Sequence, residues 1–189
     1  DSIKRHISTS DQDVIKLVTN MDNSLKEIFD LLVIQKNHEK PKPIPKNHFT
    51  MKKYWLNDIL NRSIPKHLPE RVKIEIPSNE VQVYGHMYKL IVLFSNLIEN
   101  SIDAMNQNGV IKINAVQLAD RLKIEVMDSG PGIPTKIMES MFTSLKTTKQ
   151  GGTGLGTRMA KTIIDLHGGR ISVKNNPTTF TIELPLERR

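Results

Sequence analysis

Between Leu93 and Gly156 three unlike pieces of sequence follow one another: a helix-patterned run with two asparagines, an Asp-Ser-Gly-Pro-Gly turn, and a Gly-Gly-Thr-Gly-Leu-Gly loop. In Leu93-Phe94-Ser95-Asn96-Leu97-Ile98-Glu99-Asn100-Ser101-Ile102-Asp103-Ala104-Met105 the apolar residues recur at helical spacing, and Asn96 and Asn100, four apart, share one face. A carboxamide on that face can hold a hydrated cation. Asp128-Ser129-Gly130-Pro131-Gly132-Ile133-Pro134 comes straight off an alternating strand, so a carboxylate sits at a strand end while glycines let backbone approach a flat ligand. An adenine amino group is a suitable partner for it; the plainer reading is a hydrophilic turn capped by Asp128. In Gly151-Gly152-Thr153-Gly154-Leu155-Gly156 successive small residues expose backbone N–H groups where a helix begins, and both effects favour phosphate. The loop lacks the Gly-Lys-Thr of a P-loop and does not follow a first strand, so neither a P-loop NTPase nor a dinucleotide fold is supported. The three pieces read together as a nucleotide site.

The elements around this stretch predict a small domain with an appendage. Residues 9–35 read as a helix in which Val14, Val18, Met21, Leu25, Ile28 and Leu32 follow the four-three heptad alternation of a coiled coil or antiparallel bundle. Pro41, Pro43 and Pro45 then make a stiff extended linker and the expected domain boundary. Beyond it the patterning predicts a helix over 52–63, strands over 72–76 and 81–84, and a long helix over 87–106 stopped by Asn108-Gly109. A hairpin over 110–116 and 122–127, an irregular lid over 128–156, a helix over 155–167 and strands over 170–174 and 178–184 complete the expectation. The fold class is mixed α/β (α+β): a two-layer α/β sandwich with helices on one face of a mainly antiparallel sheet, preceded by a long coiled-coil-type helix. A net charge of +7 suits an anionic ligand such as a nucleotide, and no cysteine is present for disulfide or thiolate chemistry. No apolar run approaches the roughly 20 residues that cross a bilayer, and no signal peptide opens the chain. The first residue, Asp1, is not a methionine, which leads to the expectation of a piece of something longer.

In this order and on these elements, the three boxes resemble the ATP-binding catalytic domain of sensor histidine kinases of two-component systems. Those kinases belong to a superfamily, marked by the Bergerat-type ATP-binding fold, that includes gyrase, the ninety-kilodalton heat-shock chaperone and the mismatch-repair ATPase. The resemblance covers about residues 49–186 and extends to Met141-Phe142-Thr143-Ser144-Leu145-Lys146-Thr147-Thr148-Lys149, similar to the family's phenylalanine box, and to its closing strand at Thr178-Thr179-Phe180-Thr181-Ile182-Glu183-Leu184-Pro185. Residues 1–40 then resemble the second helix of a dimerisation and histidine phosphotransfer hairpin, 41–48 the linker, and 49–189 the catalytic domain. The partner helix with the phosphoacceptor histidine is expected upstream of Asp1.

Carried over residue by residue, the resemblance implies that Asn100 ligates a magnesium ion bridging the ATP phosphates, with Asn96 beside them. Asp128 would accept from the adenine amino group, Gly130, Gly132 and Ile133 would shape that pocket, and Thr178 would lie near the base. Gly152, Gly154 and Gly156 would wrap the phosphates, with Thr153 and Leu155 between them, and Asp103, Phe142, Thr147 and Thr148 would complete the nucleotide site. Lys149 would neutralise phosphate charge; Lys146 and Arg158 are basic neighbours of the kind that are more often simply solvated. Hydrolytic members of the superfamily carry a glutamate four residues before the metal-binding asparagine, and this chain has Asn96 there, which implies a kinase whose base lies beside the acceptor histidine. Glu99 points about 100 degrees round the helix from Asn100 and is either an accessory acid or a surface residue. His86 replaces the family's usual aspartate and Pro177 the glycine before Thr178, so the local turns there are expected to depart from the pattern.

The implied partners are a phosphotransfer helix of the same protein and an acidic response-regulator receiver, in a homodimeric full-length protein. The catalytic part is expected in the cytoplasm, with membrane anchoring of the whole protein left open. Other readings are a superfamily ATPase clamp and a nucleotide-regulated binding module. No aromatic-interleaved basic stripe supports nucleic-acid binding.

Overall fold

The computed structural model describes residues 51–142 and 155–187. The chain divides into two compact units, Asp1–Pro43 and Ile44–Arg189, and every described residue belongs to the second. The heptad helix expected over 9–35 and the linker over 41–48 lie outside the described residues.

Strand order is set by which faces can be buried. β4 (Gly109–Gln117) turns Ile111, Ile113 and Ala115 inward, and β5 (Arg121–Asp128) does the same with Leu122, Ile124, Val126 and Asp128. A period of two puts one face of each strand in the core and leaves Lys112, Lys123 and Glu125 on the other. β7 (Thr178–Pro185) pairs antiparallel with β5, matching Phe180 to Val126, Ile182 to Ile124 and Leu184 to Leu122, and β6 (Arg170–Lys174) closes that edge. At the opposite edge β2 (Val72–Glu75) runs parallel to β4, giving the order β2-β4-β5-β7-β6. Parallel neighbours need a crossover, and here it contains β3 (Gln82–Gly85) and the long helix α2 (Met87–Ala104). A separate two-stranded ribbon pairs β1 (Lys52–Trp55) with β3.

α2 is buried on nearly every side along Leu90-Ile91-Val92-Leu93-Phe94-Ser95, because helix α1 (Leu56–Ser63) and helix α4 (Leu155–Leu166) pack against it. Two serines satisfy the polar groups of the α1 contact: Ser95 Oγ donates to Ser63 O at 3.2 Å, and Ser63 Oγ donates to Ile59 O at 2.8 Å. A short helix α3 (Thr135–Met138) follows the β5 turn.

The sandwich and its mainly antiparallel sheet match the sequence reading, with three local differences. Residues 52–55 form β1 rather than the start of a helix, because Tyr54 and Trp55 pair with Val83 and Gln82. α2 ends at Ala104, and Asn106 and Gln107 turn the chain at φ of 51° and 60°, ahead of the Asn108-Gly109 pair expected to stop it. The β2–β4 pair is parallel.

His86 is the N-cap residue of α2, yet its side chain makes no capping bond. Its backbone N–H instead donates to Nε2 of buried His167 at 2.9 Å, while His167 Nδ1 lies 2.6 Å from Ile163 O. Nε2 must therefore be unprotonated and Nδ1 the donor. This bond ties the start of α2 to the end of α4. Burial depresses His167 below its ordinary 6.5, and His86 and Lys89 add to the effect. Unfolded chain takes up a proton below that value and folded chain resists it, so stability is full above about pH 6.5 and falls as pH drops toward the folded pKa. The melting temperature should fall between about pH 7 and pH 5.5. In His167→Gln, whose amide accepts from His86 without titrating, the slope should become shallower, leaving the share of His86, itself depressed by burial and by Lys89; parallel slopes by calorimetry would refute the assignment.

Candidate functional site

The site starts from the alternation of β5, which leaves its last residue, Asp128, on the core face at 4% exposure. Three donors meet that carboxylate. Gly130 N donates to Oδ1 at 2.9 Å, Ser101 Oγ to Oδ2 at 3.3 Å, and the hydroxyl of Thr178, its register partner on β7, adds a third. Desolvation still outweighs them and pushes the carboxyl above its usual range. Asp128 is thus a desolvated carboxylate whose oxygens are aimed by Gly130, Ser101 and Thr178.

The chain beyond Asp128 is held close. Ser129 N donates to Val110 O at 3.1 Å and Val110 N to Ser129 Oγ at 3.0 Å, which continues the β4–β5 pairing by one more step. A β-carbon on Gly130 would come within 2.7 Å of Asp128 Oδ1, so only glycine lets the backbone turn back onto the carboxylate. Gly132 takes φ of 92°, and the carboxamide of Asn175 lies against it, accepting from Ile133 N at 2.9 Å and donating to Ile133 O at 2.8 Å.

A second cluster lies one step round α2. Leu97, Ile98, Ser101 and Ile102 fill the core stripe, which carries the Ser101 hydroxyl to Asp128. Asn96 and Asn100 fall beside that stripe, half-buried, under the first turn of α4. A β-carbon on Gly156 would stand 3.3 Å from Asn96 Oδ1 and 3.7 Å from Asn100 Nδ2. Asn96 Nδ2 bonds back to Val92 O at 2.9 Å, leaving Oδ1 on the side of α4. Thr157 Oγ1 donates to Met141 O at 2.7 Å, so α4 is pinned beside the segment that ends at Phe142.

The structure thus brings Asp128, Gly130 and Thr178 into one group and Asn96, Asn100 and Gly156 into another, joined through adjacent Asn100 and Ser101. Gly132 and Ile133 border the first group. Glu99 and Phe142 are half-buried and Asp103 is exposed, and Leu155 opens α4. Thr147, Thr148, Lys149, Gly152, Thr153 and Gly154 lie outside the described residues. Two residues were not anticipated: Ser101, whose place in the core stripe was a usable signal, and Asn175, whose contact across 42 positions no local pattern announces. A separate groove lined by Lys53, Gln117, Asp120 and Glu187 is at the far end of β5. Among the described residues no three His, Asp or Glu side chains gather to hold a metal ion.

A buried acceptor at a strand end, a glycine turn directly after it, and a carboxamide face under a helix start sit together on one side of the α/β sandwich. The chain belongs to the family of histidine kinase-, DNA gyrase B- and HSP90-like ATPases, which its residues 86–188 match. It is 34% identical over 152 residues to the sensor histidine kinase ZraS of Salmonella typhimurium, covering 75% of this chain and 33% of that one. Identity to the C4-dicarboxylate transport sensor protein DctB of Rhizobium meliloti is 31% over 119 residues, 61% of this chain and 19% of the relative. The chain therefore spans a third or less of these relatives. The solved catalytic domain of the histidine kinase ThkA superposes with a TM-score of 0.65 at 29% identity, over 72% of this chain and 96% of that domain. The architecture is that of a histidine-kinase ATP-binding catalytic domain, the Bergerat type.

Gly130→Ala should force the new methyl onto Asp128 Oδ1, and the carboxylate can swing away only by giving up its bonds to Gly130 N, Ser101 and Thr178. A loss of about 1–3 kcal/mol by denaturant unfolding is expected. Unchanged stability would mean that the Gly130–Asp128 turn is looser than this geometry.

Proposed function

We propose that this chain binds Mg-ATP and serves as the catalytic part of a sensor histidine kinase, delivering the γ-phosphoryl group to a histidine of a helical phosphotransfer hairpin. From there the phosphoryl group would pass to an aspartate of a response-regulator receiver. The observation that carries this reading is Asp128: a buried carboxylate at a strand end with raised pKa and three internal donors, followed at once by a glycine turn and one helical step from two carboxamides. Support also comes from ThkA, a relative solved in complex with a response regulator protein.

On this reading the adenine amino group donates to Asp128, replacing the hydration lost on burial. Thr178 and Ser101 keep the carboxylate aimed, and Gly132 and Ile133 flank the base. Asn100 offers one oxygen ligand to magnesium. With no carboxylate cluster at hand among the described residues, the donor set fits an ion shared with phosphates rather than an all-protein cage. When bound, that ion would spread and neutralise charge across the phosphates. Gly152, Gly154 and Gly156 would direct backbone N–H groups at the phosphates, with Thr153 and Leu155 between them in sequence, and Thr147, Thr148 and Lys149 would add polar and cationic partners. Phe142 and Asp103 would border the pocket, and Glu99 would be either an accessory acid or a surface residue.

Asn96 occupies the position of the base in hydrolytic relatives, and a carboxamide takes no proton from water at neutral pH. The domain should hold ATP without appreciable turnover and release the γ-phosphoryl group only to a positioned acceptor, by orientation and charge neutralisation. Residues 1–40 would supply the second helix of the hairpin, 41–48 the linker and 49–189 the catalytic domain. The whole would work as a homodimer with this part in the cytoplasm. Among the described residues no helix is long and apolar enough to cross a membrane.

Calorimetric titration with Mg-ATP tests the reading. Wild type should bind, and Asp128→Asn, which places an amide donor where the adenine amino group donates, should lose at least about tenfold in affinity while keeping the fold. Equal affinity in the two proteins would remove Asp128 from the base pocket. Steady-state hydrolysis unaffected by adding a histidine-bearing hairpin would favour an ATPase clamp instead.

A further inference from the structure

The loop from Asp128 to Ile133 is held at both ends by one short turn between β6 and β7. At its start, Thr178 bonds to Asp128 across the β5–β7 ladder. At its end, the Asn175 carboxamide engages both backbone groups of a single residue, accepting from Ile133 N at 2.9 Å and donating to Ile133 O at 2.8 Å. That two-point match reproduces the pairing of a neighbouring strand where no strand exists. The contact also depends on glycine, since a β-carbon at Gly132 would sit 3.3 Å from Asn175 Oδ1. The turn that presents Asn175 is itself fixed: Asn176 takes φ of 65°, and Thr179 Oγ1 donates to Pro177 O at 3.0 Å.

We propose that Asn175 is a positioning residue for nucleotide binding: its carboxamide locks the Gly132–Ile133 peptide so that the wall beside Asp128 is already formed before a purine nucleotide arrives. This rests on the nucleotide site proposed above. The Asn175 carboxamide bonds to the backbone of Ile133, five positions beyond Asp128, and its effect runs through that backbone. A free loop must be ordered on binding, and that cost is subtracted from affinity; a loop fastened in advance avoids it. The residue lies on a part-exposed turn away from the core, so its loss should weaken the ligand's grip more than the fold.

The test is Mg-ATP titration of the full 189-residue chain as wild type, Asn175→Ala and Asn175→Asp, with exchange of the Ile133 amide hydrogen followed by NMR. Asn175→Ala should bind roughly tenfold more weakly at nearly unchanged melting temperature, with faster exchange at Ile133 in the nucleotide-free protein. Asn175→Asp separates positioning from simple structural support. At about pH 7.5 its carboxylate faces the Ile133 carbonyl without a donor, so affinity should drop as in Asn175→Ala. Toward about pH 5 protonation, favoured by that carbonyl, restores one donor and one acceptor, and the gap to wild type at the same pH should narrow. Wild-type affinity in Asn175→Ala overturns the proposal while leaving the nucleotide site standing. A gap in Asn175→Asp that ignores pH overturns it too, as does an Asn175→Ala chain that loses affinity only in proportion to its unfolded fraction. A wild-type chain that binds no ATP overturns the site reading and this proposal together.

Discussion

A carboxylate taken out of water at the end of a strand is the constraint around which this domain is arranged. Asp128 reaches the core face by the same alternation that buries Leu122, Ile124 and Val126, so it could move to solvent only if β5 slipped by one residue and exposed them all. Burial of an unpartnered carboxylate costs several kcal/mol, and the fold answers from three directions: the following turn, α2 and β7. The answer is incomplete, since desolvation still raises the carboxyl pKa. In a purely structural position an apolar side chain would be the cheaper solution. A costly buried carboxylate kept at a strand end beside glycines marks a candidate functional position.

α2 has two jobs that its circumference divides between them. The stripe from Leu90 through Ile98 and Ile102 is packed against sheet and helices, and this packing gives Asn96 and Asn100 a fixed direction. α4 is brought to them at its first turn and is fastened elsewhere at both ends: Thr157 holds its start to Met141 O, and His167 holds its end to the backbone of His86. The glycine before His86 takes part in this second fastening, because a β-carbon at Gly85 would come within 2.5 Å of the His167 ring. The side-chain cap that an aspartate at position 86 would supply is absent, and a ring nitrogen from a distant helix satisfies the N-cap backbone N–H in its place.

Most of the sheet and the order of the boxes were legible because they depend on local periods. β4 and β5 alternate strictly, and Asp128 follows from that alternation without any tertiary information. β1 was not legible, since Tyr54, Trp55, Ile59 and Leu60 also suit a helical face, and only pairing with β3, some thirty residues on, decides the matter. The parallel β2–β4 pair is set by a crossover that no local pattern encodes. Within the site, the carboxamide face and the glycines could be read from spacing and composition. Ser101 could have been found, because a hydroxyl inside an otherwise apolar stripe needs a buried partner, and here that partner is Asp128. Asn175 was hidden: Asn-Asn-Pro is ordinary turn chemistry, and its engagement with Ile133 exists only once β6 and β7 have joined the sheet.

The two halves of the site rest on different kinds of support, and this bears on what the proposed chemistry can be. The base side is built from strand ends and one turn, where Thr178 and Asn175 fix both limits of a short loop. The proposed phosphate side combines carboxamides from the middle of α2 with the first turn of α4, neutral dipoles rather than acids or bases. Asn96 is engaged through Nδ2 by its own helix, and its oxygen cannot accept a proton from water at physiological pH. Such a surface can orient a triphosphate and stabilise its charge, yet among the described residues nothing in it activates an attacking water. On the reading proposed above, such a surface would leave the γ-phosphoryl group for an acceptor that brings its own base, the division of labour a phosphotransfer enzyme needs and a hydrolase does not.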